Sequence, residues 1–233
     1  MERRVHDLFG DRIQPVVVYG AGGHGRETVQ LLEDINAHRA RWDVLGFIDD
    51  DPSLHGRIVN GLPVLGGPEW LDHEGESIRI ALGLASPTVK RRVVARLGRD
   101  AQRFTTLIHP AVRLCRWLEI GPGTAIAAGT VLTVNITVGA FVTLDRACNI
   151  SHDCRIGDFA TIAPAVNLSG GVEIGSGCEV GTGVSTVKHV AVGEWSIIGA
   201  GAVIASDVPP NCTAVGVPAR PIKQRQSGWQ HEA

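Results

Sequence analysis

The chain has 233 residues, 44% hydrophobic and 20% charged, with a formal net charge of −2. That is enough for two small domains or one larger one with a buried core, and the charge balance gives no electrostatic ground for nucleic acid or an anionic membrane as partner. No apolar run approaches a membrane span, and the Met1–Arg4 start leads into no signal-peptide core, so a cytoplasmic location is the expectation.

Gln14–Tyr19 (QPVVVY) is a short β-branched run that ends at Gly20, and it predicts a buried strand. A helical pattern follows from His24, with Val29, Leu31, Leu32 and Ile35 apolar. Val44–Ile48 predicts a second strand, which runs into Asp49, Asp50 and Asp51. Leu62–Leu65 is a short segment after a glycine, Ser77–Leu82 a further strand, and Pro87–Leu97 a basic amphipathic helix with Lys90, Arg91, Arg92 and Arg96. Strands alternating with helices imply a small Rossmann-like parallel α/β domain over residues 1–104. Within it, Gly20-Ala21-Gly22-Gly23-His24-Gly25 matches G-x-G-x-x-G between a strand and a helix. That setting turns backbone N–H groups toward a phosphate or pyrophosphate, and the acidic end of the next strand suits a ribose or base contact. So short a domain fits one nucleotide diphosphate better than a full dinucleotide fold. His24 either touches a phosphate or sits on the surface at the helix start.

Thr105–Val112 (TTLIHPAV) forms the join, where His109 is expected to order the inter-domain turn. From Ile120 to Val180 an aliphatic residue then returns at every sixth position; the phase lapses at Thr186 and resumes at Val192, Ile198 and Ile204. Four residues after each aliphatic comes a small or apolar residue, including Cys148, Cys154 and Cys178. Neither the helical nor the strand period explains this; a hexapeptide β-solenoid does, three hexads to a triangular coil. Glycine often follows the aliphatic residue, where a sharp turn or positive φ is expected. The solenoid domain covers 105–223, the hexad at 186–191 reads as irregular, and 224–233 reads as a polar, frayed tail. The chain has five cysteines and no CxxC, and the three in the inward register read as buried apolar groups rather than metal ligands.

His152 stands third in the hexad that starts at Ile150, outside both inward registers, so the core does not need it. It titrates in the range a general base requires, and the adjacent Asp153 can orient its ring.

The GAGGHG turn, the FIDDD strand end, the IHP join, the hexapeptide solenoid and the closing GVPAR together resemble one family over residues 14–223. It comprises the sugar O- and N-acyltransferases, which include sialic acid O-acetyltransferases and nucleotide-amino-sugar N-acetyltransferases. Ser151-His152-Asp153-Cys154-Arg155-Ile156-Gly157-Asp158 is the most specific stretch. The resemblance implies a left-handed parallel β-helix, a homotrimer with active sites between neighbouring prisms, acetyl-CoA as co-substrate, and a nucleotide-linked sugar on the N-terminal domain. It implies His152 and Asp153 as the catalytic pair. Gly22, Gly23, His24, Asp49, Asp50 and Gly83 would contact the nucleotide sugar, and Gly170, Thr182 and Ala200 coenzyme A. Many members carry a second histidine nine residues after the first, against the thioester; here that position is Thr161, also expected on the donor. The activity implied is N-acetylation of a nucleotide-linked amino sugar, a 4-amino-dideoxy sugar, in bacterial surface-glycan synthesis. The alternatives are O-acetylation of a free sugar such as sialic acid, and a non-catalytic trimeric scaffold. No metal is expected, because no solenoid histidine has a partner at the coil spacing.

Overall fold

The computed structural model describes residues 13–73, 77–98 and 101–231. Its first part runs β1 (Gln14–Tyr19), α1 (Gly23–His38), β2 (Trp42–Ile48), β3 (Ile58–Val59), β4 (Leu62–Gly66), α2 (Trp70–His73), β5 (Arg79–Leu82) and α3 (Pro87–Leu97). The sheet order is β3-β4-β2-β1-β5, parallel except for the β3–β4 hairpin. β1 is central and covered on both sides. Val16 and Val18 pack with Val29, Leu32 and Ile35 of α1, while Val17 and Tyr19 pack toward Val93 of α3, as a parallel strand under two helical layers requires. The chain steps outward from β1 through β2 to β4, then returns to place β5 on the other side of β1. Open sheets usually take ligands at such a reversal, here beyond the carboxyl ends of β1 and β5. Three glycines close-pack there: a Cβ on Gly20 would lie 2.9 Å from the Gly83 oxygen, and one on Gly83 would lie 2.6 Å from the Gly25 Cα.

The predicted helices and strands are present, with the helix after the glycine turn starting at Gly23 and the strand predicted from Ser77 starting at Arg79. The β3–β4 hairpin is an addition. Its turn is Asn60-Gly61, both at positive φ (47° and 83°), the pairing that favours a two-residue hairpin.

From Leu107 onward two- and three-residue strands wind a triangular prism whose parallel registers advance eighteen residues per coil, as in Leu144 to Ile162 and Ile156 to Ile174. The first face carries Ala125–Ile126, Thr143–Leu144, Thr161–Ile162, Glu179–Val180 and Ile197–Ile198. The second carries Val131–Leu132, Asn149–Ile150, Asn167–Leu168 and Ser185–Thr186; the third carries Ile136–Val138, Arg155–Ile156, Glu173–Ile174 and Ala191–Val192. Both inward registers are buried, from Ile126, Leu132 and Leu144 to Cys148, Cys154 and Cys178. The α/β domain lies on the first face. There Phe141 meets Phe104 edge-on at 5.2 Å and stacks on Phe159 at 5.0 Å.

Three expectations need correction. The glycines that follow the aliphatic residues owe their presence to close stacking of coils rather than to positive φ: a Cβ on Gly121 would lie 2.5 Å from the Ala140 nitrogen. Positive φ falls instead two residues further on, at Phe141, Asp153 and Phe159 among others. The hexad at 186–191 is regular, since buried Thr186 keeps its hydroxyl satisfied by accepting from the Ser169 N–H at 2.9 Å. The C-terminal segment is tied down as far as His231. Arg225 Nη2 donates to Thr213 Oγ1 at 2.8 Å, and Arg91 of α3 meets the His231 ring at 2.9 Å.

Candidate active site

His152 lies on the corner between the second and third faces, its side chain 60% exposed. The hexad period explains this: inward positions on either side fix the corner, and the residues between must point out. Asp153 takes φ 62°, which turns its carboxylate back against the ring, and Asp153 Oδ2 lies 2.7 Å from His152 Nδ1. Asn135 of the preceding coil donates to Asp153 Oδ1 at 3.1 Å. Hydrogen bonds from His152 first and Asn135 second hold the Asp153 carboxyl below the ordinary range. An ionised Asp153 therefore orients the imidazole through Nδ1 and leaves Nε2 open. Asn135, an unremarked position of the hexad that starts at Leu132, becomes legible only when eighteen is subtracted from 153.

The next coil leaves room for the ring. A Cβ on Gly170 would sit 2.5 Å from His152 Cε1 and 2.6 Å from Nε2. The Gly170 N–H donates to no group among the described residues.

The glycine turn is elsewhere. Gly22 precedes α1 with no side-chain cap, and its Cβ position is open; the N–H groups of Gly23 and His24 at this helix start have no partner among the described residues. Asp49 holds this turn in shape: Oδ2 accepts from Ala21 N–H at 2.7 Å and Oδ1 from Asp51 N–H at 2.9 Å. Asp50 accepts from Tyr19 Oη at 2.7 Å and from Arg96 Nη2 at 2.6 Å. Burial works against its ionisation, but the hydrogen bonds from Arg96 and Tyr19 outweigh that and hold its carboxyl low. Both carboxylates predicted for substrate contact are thus already engaged within the chain. Gly83, at the end of β5, donates its N–H to the Tyr19 oxygen at 2.9 Å. His24 is largely buried; desolvation lowers its pKa, against the opposing pull of Asp145.

The turn sits over the corner between the first and second faces, where Glu27 pairs with Arg146 at 2.9 Å. Arg146 and His152 are six residues apart, so one whole face, at most about 20 Å of extended chain, separates the two corners. Thr182 and Ala200 share the turn's corner, joined by Gly201 N–H to Thr182 O at 2.8 Å. His152, Asp153 and Gly170 share the other. Thr161 belongs to neither: it lies on the first face beneath the α/β domain, its hydroxyl donating to Ala85 O at 2.5 Å. A single chain does not bring the His152–Asp153 pair to the corner that holds the glycine turn, Thr182 and Ala200.

Two residues at the join matter more than the sequence indicates. Lys90 of α3, one of four basic side chains on that amphipathic helix, is 1% exposed. Its ammonium donates to Phe141 O at 2.9 Å, Ala160 O at 3.1 Å and Thr143 Oγ1 at 3.2 Å. Burial pushes its pKa down to about 7, against the field of Glu179. His109 accepts from Ala111 N–H at 2.9 Å and meets Asp34 of α1 at 3.2 Å, which ties the turn between the domains as expected.

An α/β module with an anion-type helix start, docked on a hexapeptide prism that carries an oriented, accessible imidazole, defines a two-part group-transfer protein. Residues 15–97 match the family described as PglD N-terminal domain. The acetyltransferase domain of PglB from Neisseria gonorrhoeae, solved with acetyl coenzyme A, is 30% identical with a TM-score of 0.80, over 91% of this chain and 100% of that one. A variant of perosamine N-acetyltransferase from Caulobacter crescentus, solved with CoA and GDP-perosamine, is 26% identical with a TM-score of 0.81, over 91% and 99%. GDP-perosamine N-acetyltransferase of Escherichia coli O157:H7 is 31% identical over 125 residues, 53% of this chain and 56% of that protein. Alignments to curated relatives span between 17% and 56% of those proteins' lengths. The chain belongs to the hexapeptide-repeat sugar acetyltransferases, and its prism is the left-handed β-helix of that family.

Proposed function

We propose that this protein transfers an acetyl group from acetyl-CoA to the amine of a nucleotide-linked amino sugar, with His152 as general base. The observation that carries this reading is the accessible His152–Asp153 pair, with Nδ1 engaged and Nε2 free above Gly170. His152 Nε2 takes the amine proton as the nitrogen attacks, and Asp153 stabilises the imidazolium that forms. The thiol of coenzyme A leaves, so no covalent enzyme intermediate is needed. Residues up to 104 hold the nucleotide through the N–H groups at the start of α1. Residues from 105 to 223 carry the transfer chemistry. The solved relatives bound to CoA, acetyl-CoA and GDP-perosamine support both halves.

The separation of the corners supports a homotrimer. Packing prisms side by side lets the His152 corner of one subunit face the Thr182–Ala200 corner and glycine turn of the next, so that a shared groove holds donor and acceptor. The acceptor is a 4-amino-dideoxy sugar destined for a bacterial surface glycan, and the reaction is cytoplasmic. No helix among the described residues is long and apolar enough to cross a membrane.

The test is thiol release from acetyl-CoA against UDP-, GDP- and dTDP-linked 4-amino sugars. Turnover with one of them supports the reading and names the nucleotide. A folded protein silent on all of them, but active on a free sugar, would overturn it.

A further inference from the structure

The corner that carries His152 also carries a second imidazole, and the coil between them is stripped of side chains. The backbone ladder stacks the coils one above another: Gly171 N–H donates to His152 O at 2.9 Å, and His189 N–H to Gly170 O at 3.0 Å. His152 comes from the coil below and leans over Gly170; His189 comes from the coil above, and its Nδ1 edge closes on the position a Gly171 Cβ would take. Both rings therefore end at the level of the same glycine pair, although their chains are two rungs, about 10 Å, apart. His189 adopts φ 58°, outside the ordinary range for a side-chain-bearing residue, and is exposed. Its ring has no hydrogen-bond partner among the described residues, and its field reaches Asp153. With the Nδ1 edge against Gly171, Nε2 is the nitrogen that faces out.

We propose that His189 is a catalytic residue of the acyl-transfer step, donating Nε2–H to the thioester carbonyl oxygen alongside the unpaired Gly170 N–H. This rests on the acetyl-CoA reading above. Acyl transfer needs a base for the nucleophile and donors where negative charge collects on oxygen. His152, oriented by Asp153, fills the first role. His189, with no bonded carboxylate and facing the same rung, fills the second. The amine nitrogen bonds to the carbonyl carbon while its proton passes to His152 Nε2. Charge moves onto the oxygen held by His189 and Gly170. The carbon–sulfur bond then breaks, and the thiolate takes the proton back from His152, so His189 ends the cycle unchanged.

The experiment compares wild type, His189→Ala and His189→Asn. Infrared spectra of bound acetyl-CoA, carbon-13 labelled at the carbonyl, should show a lower carbonyl frequency in wild type than in His189→Ala. Free CoA lacks that carbonyl, so its dissociation constant should stay within about twofold while kcat falls about 100-fold. His189→Asn keeps an N–H donor and should recover part of the loss. An unchanged carbonyl frequency, or CoA affinity that falls in step with kcat, would overturn the proposal. Failure of wild type to bind acetyl-CoA would instead overturn the functional reading beneath it.

Discussion

Replacing Lys90 with methionine tests the strangest electrostatic feature of the fold. The ammonium is 1% exposed and satisfied by two carbonyls and a threonine hydroxyl, with no contacting carboxylate among the described residues. Desolvation lowers its pKa from an ordinary 10.5 to about 7, and Glu179 opposes the shift only from a distance. Between those values the unfolded chain holds a proton that the folded chain has released, so folding stability must rise with pH across that window. A full proton is worth about 1.4 kcal/mol per pH unit. From about pH 7.5 to about pH 9.5, wild type should therefore gain about 2–3 kcal/mol relative to Lys90→Met, which has nothing there to titrate. Removing the donor also leaves the Phe141 carbonyl unpaired, a pH-independent cost of about 1–3 kcal/mol. The assay is urea unfolding of both proteins at one protein concentration over that pH range, comparing the difference between them so that cysteine and tyrosine titrations cancel. Parallel stability curves, or a wild-type advantage that shrinks as pH rises, would refute the reasoning.

The remaining tests address the site. His152→Ala should lower kcat about 1,000-fold with the melting temperature nearly unchanged, because the side chain is exposed and outside the core; steady-state kinetics with calorimetry check both. Gly170→Ala places a methyl group within 2.6 Å of the His152 ring and should cost at least ~10-fold in kcat by displacing the imidazole, as small misplacements do; a crystal structure would show whether the ring has moved. Asp49→Ala removes the acceptor for two backbone N–H groups, and should cost about 1–3 kcal/mol in chemical unfolding and weaken nucleotide binding in titration calorimetry. Co-refolding His152→Ala subunits with Asp49→Ala subunits, assayed at a nucleotide-sugar concentration too low for Asp49→Ala alone to turn over, should restore about a quarter of wild-type turnover, since random mixing places intact halves side by side that often; no recovery would mean that each subunit works alone.

How much of this was legible depended on how local each cause is. The hexad period exposed the prism because each aliphatic position is set by its own coil, and the strand–turn–helix pattern exposed the α/β domain for the same reason. Thr186 misled because a hydroxyl breaks a hydrophobic count, whereas the Ser169 N–H seventeen residues away makes it an acceptable core residue. Lys90 misled more deeply. A lysine among arginines on an amphipathic helix reads as solvated, and only the carbonyls of Phe141 and Ala160, fifty-one and seventy residues on, show why it is buried. Asp49 and Asp50 were found as a cluster, but their bonds to Ala21, Tyr19 and Arg96 come from the turn after β1, from β1 itself and from α3.

Chemistry on this scaffold follows the coil length rather than the hexad. Adding or subtracting eighteen from His152 and Asp153 gives Gly170 and Asn135, and adding thirty-six to Asp153 gives His189; each of these positions contacts or faces the imidazole or its carboxylate. A residue pair at one corner is therefore a site in cross-section. Its depth is the column of residues above and below it, and the glycine turn stands at another corner, a full face away on the same chain. The solenoid provides rigidity and repetition; in the trimer we propose, association of subunits provides the convergence that a single coil cannot.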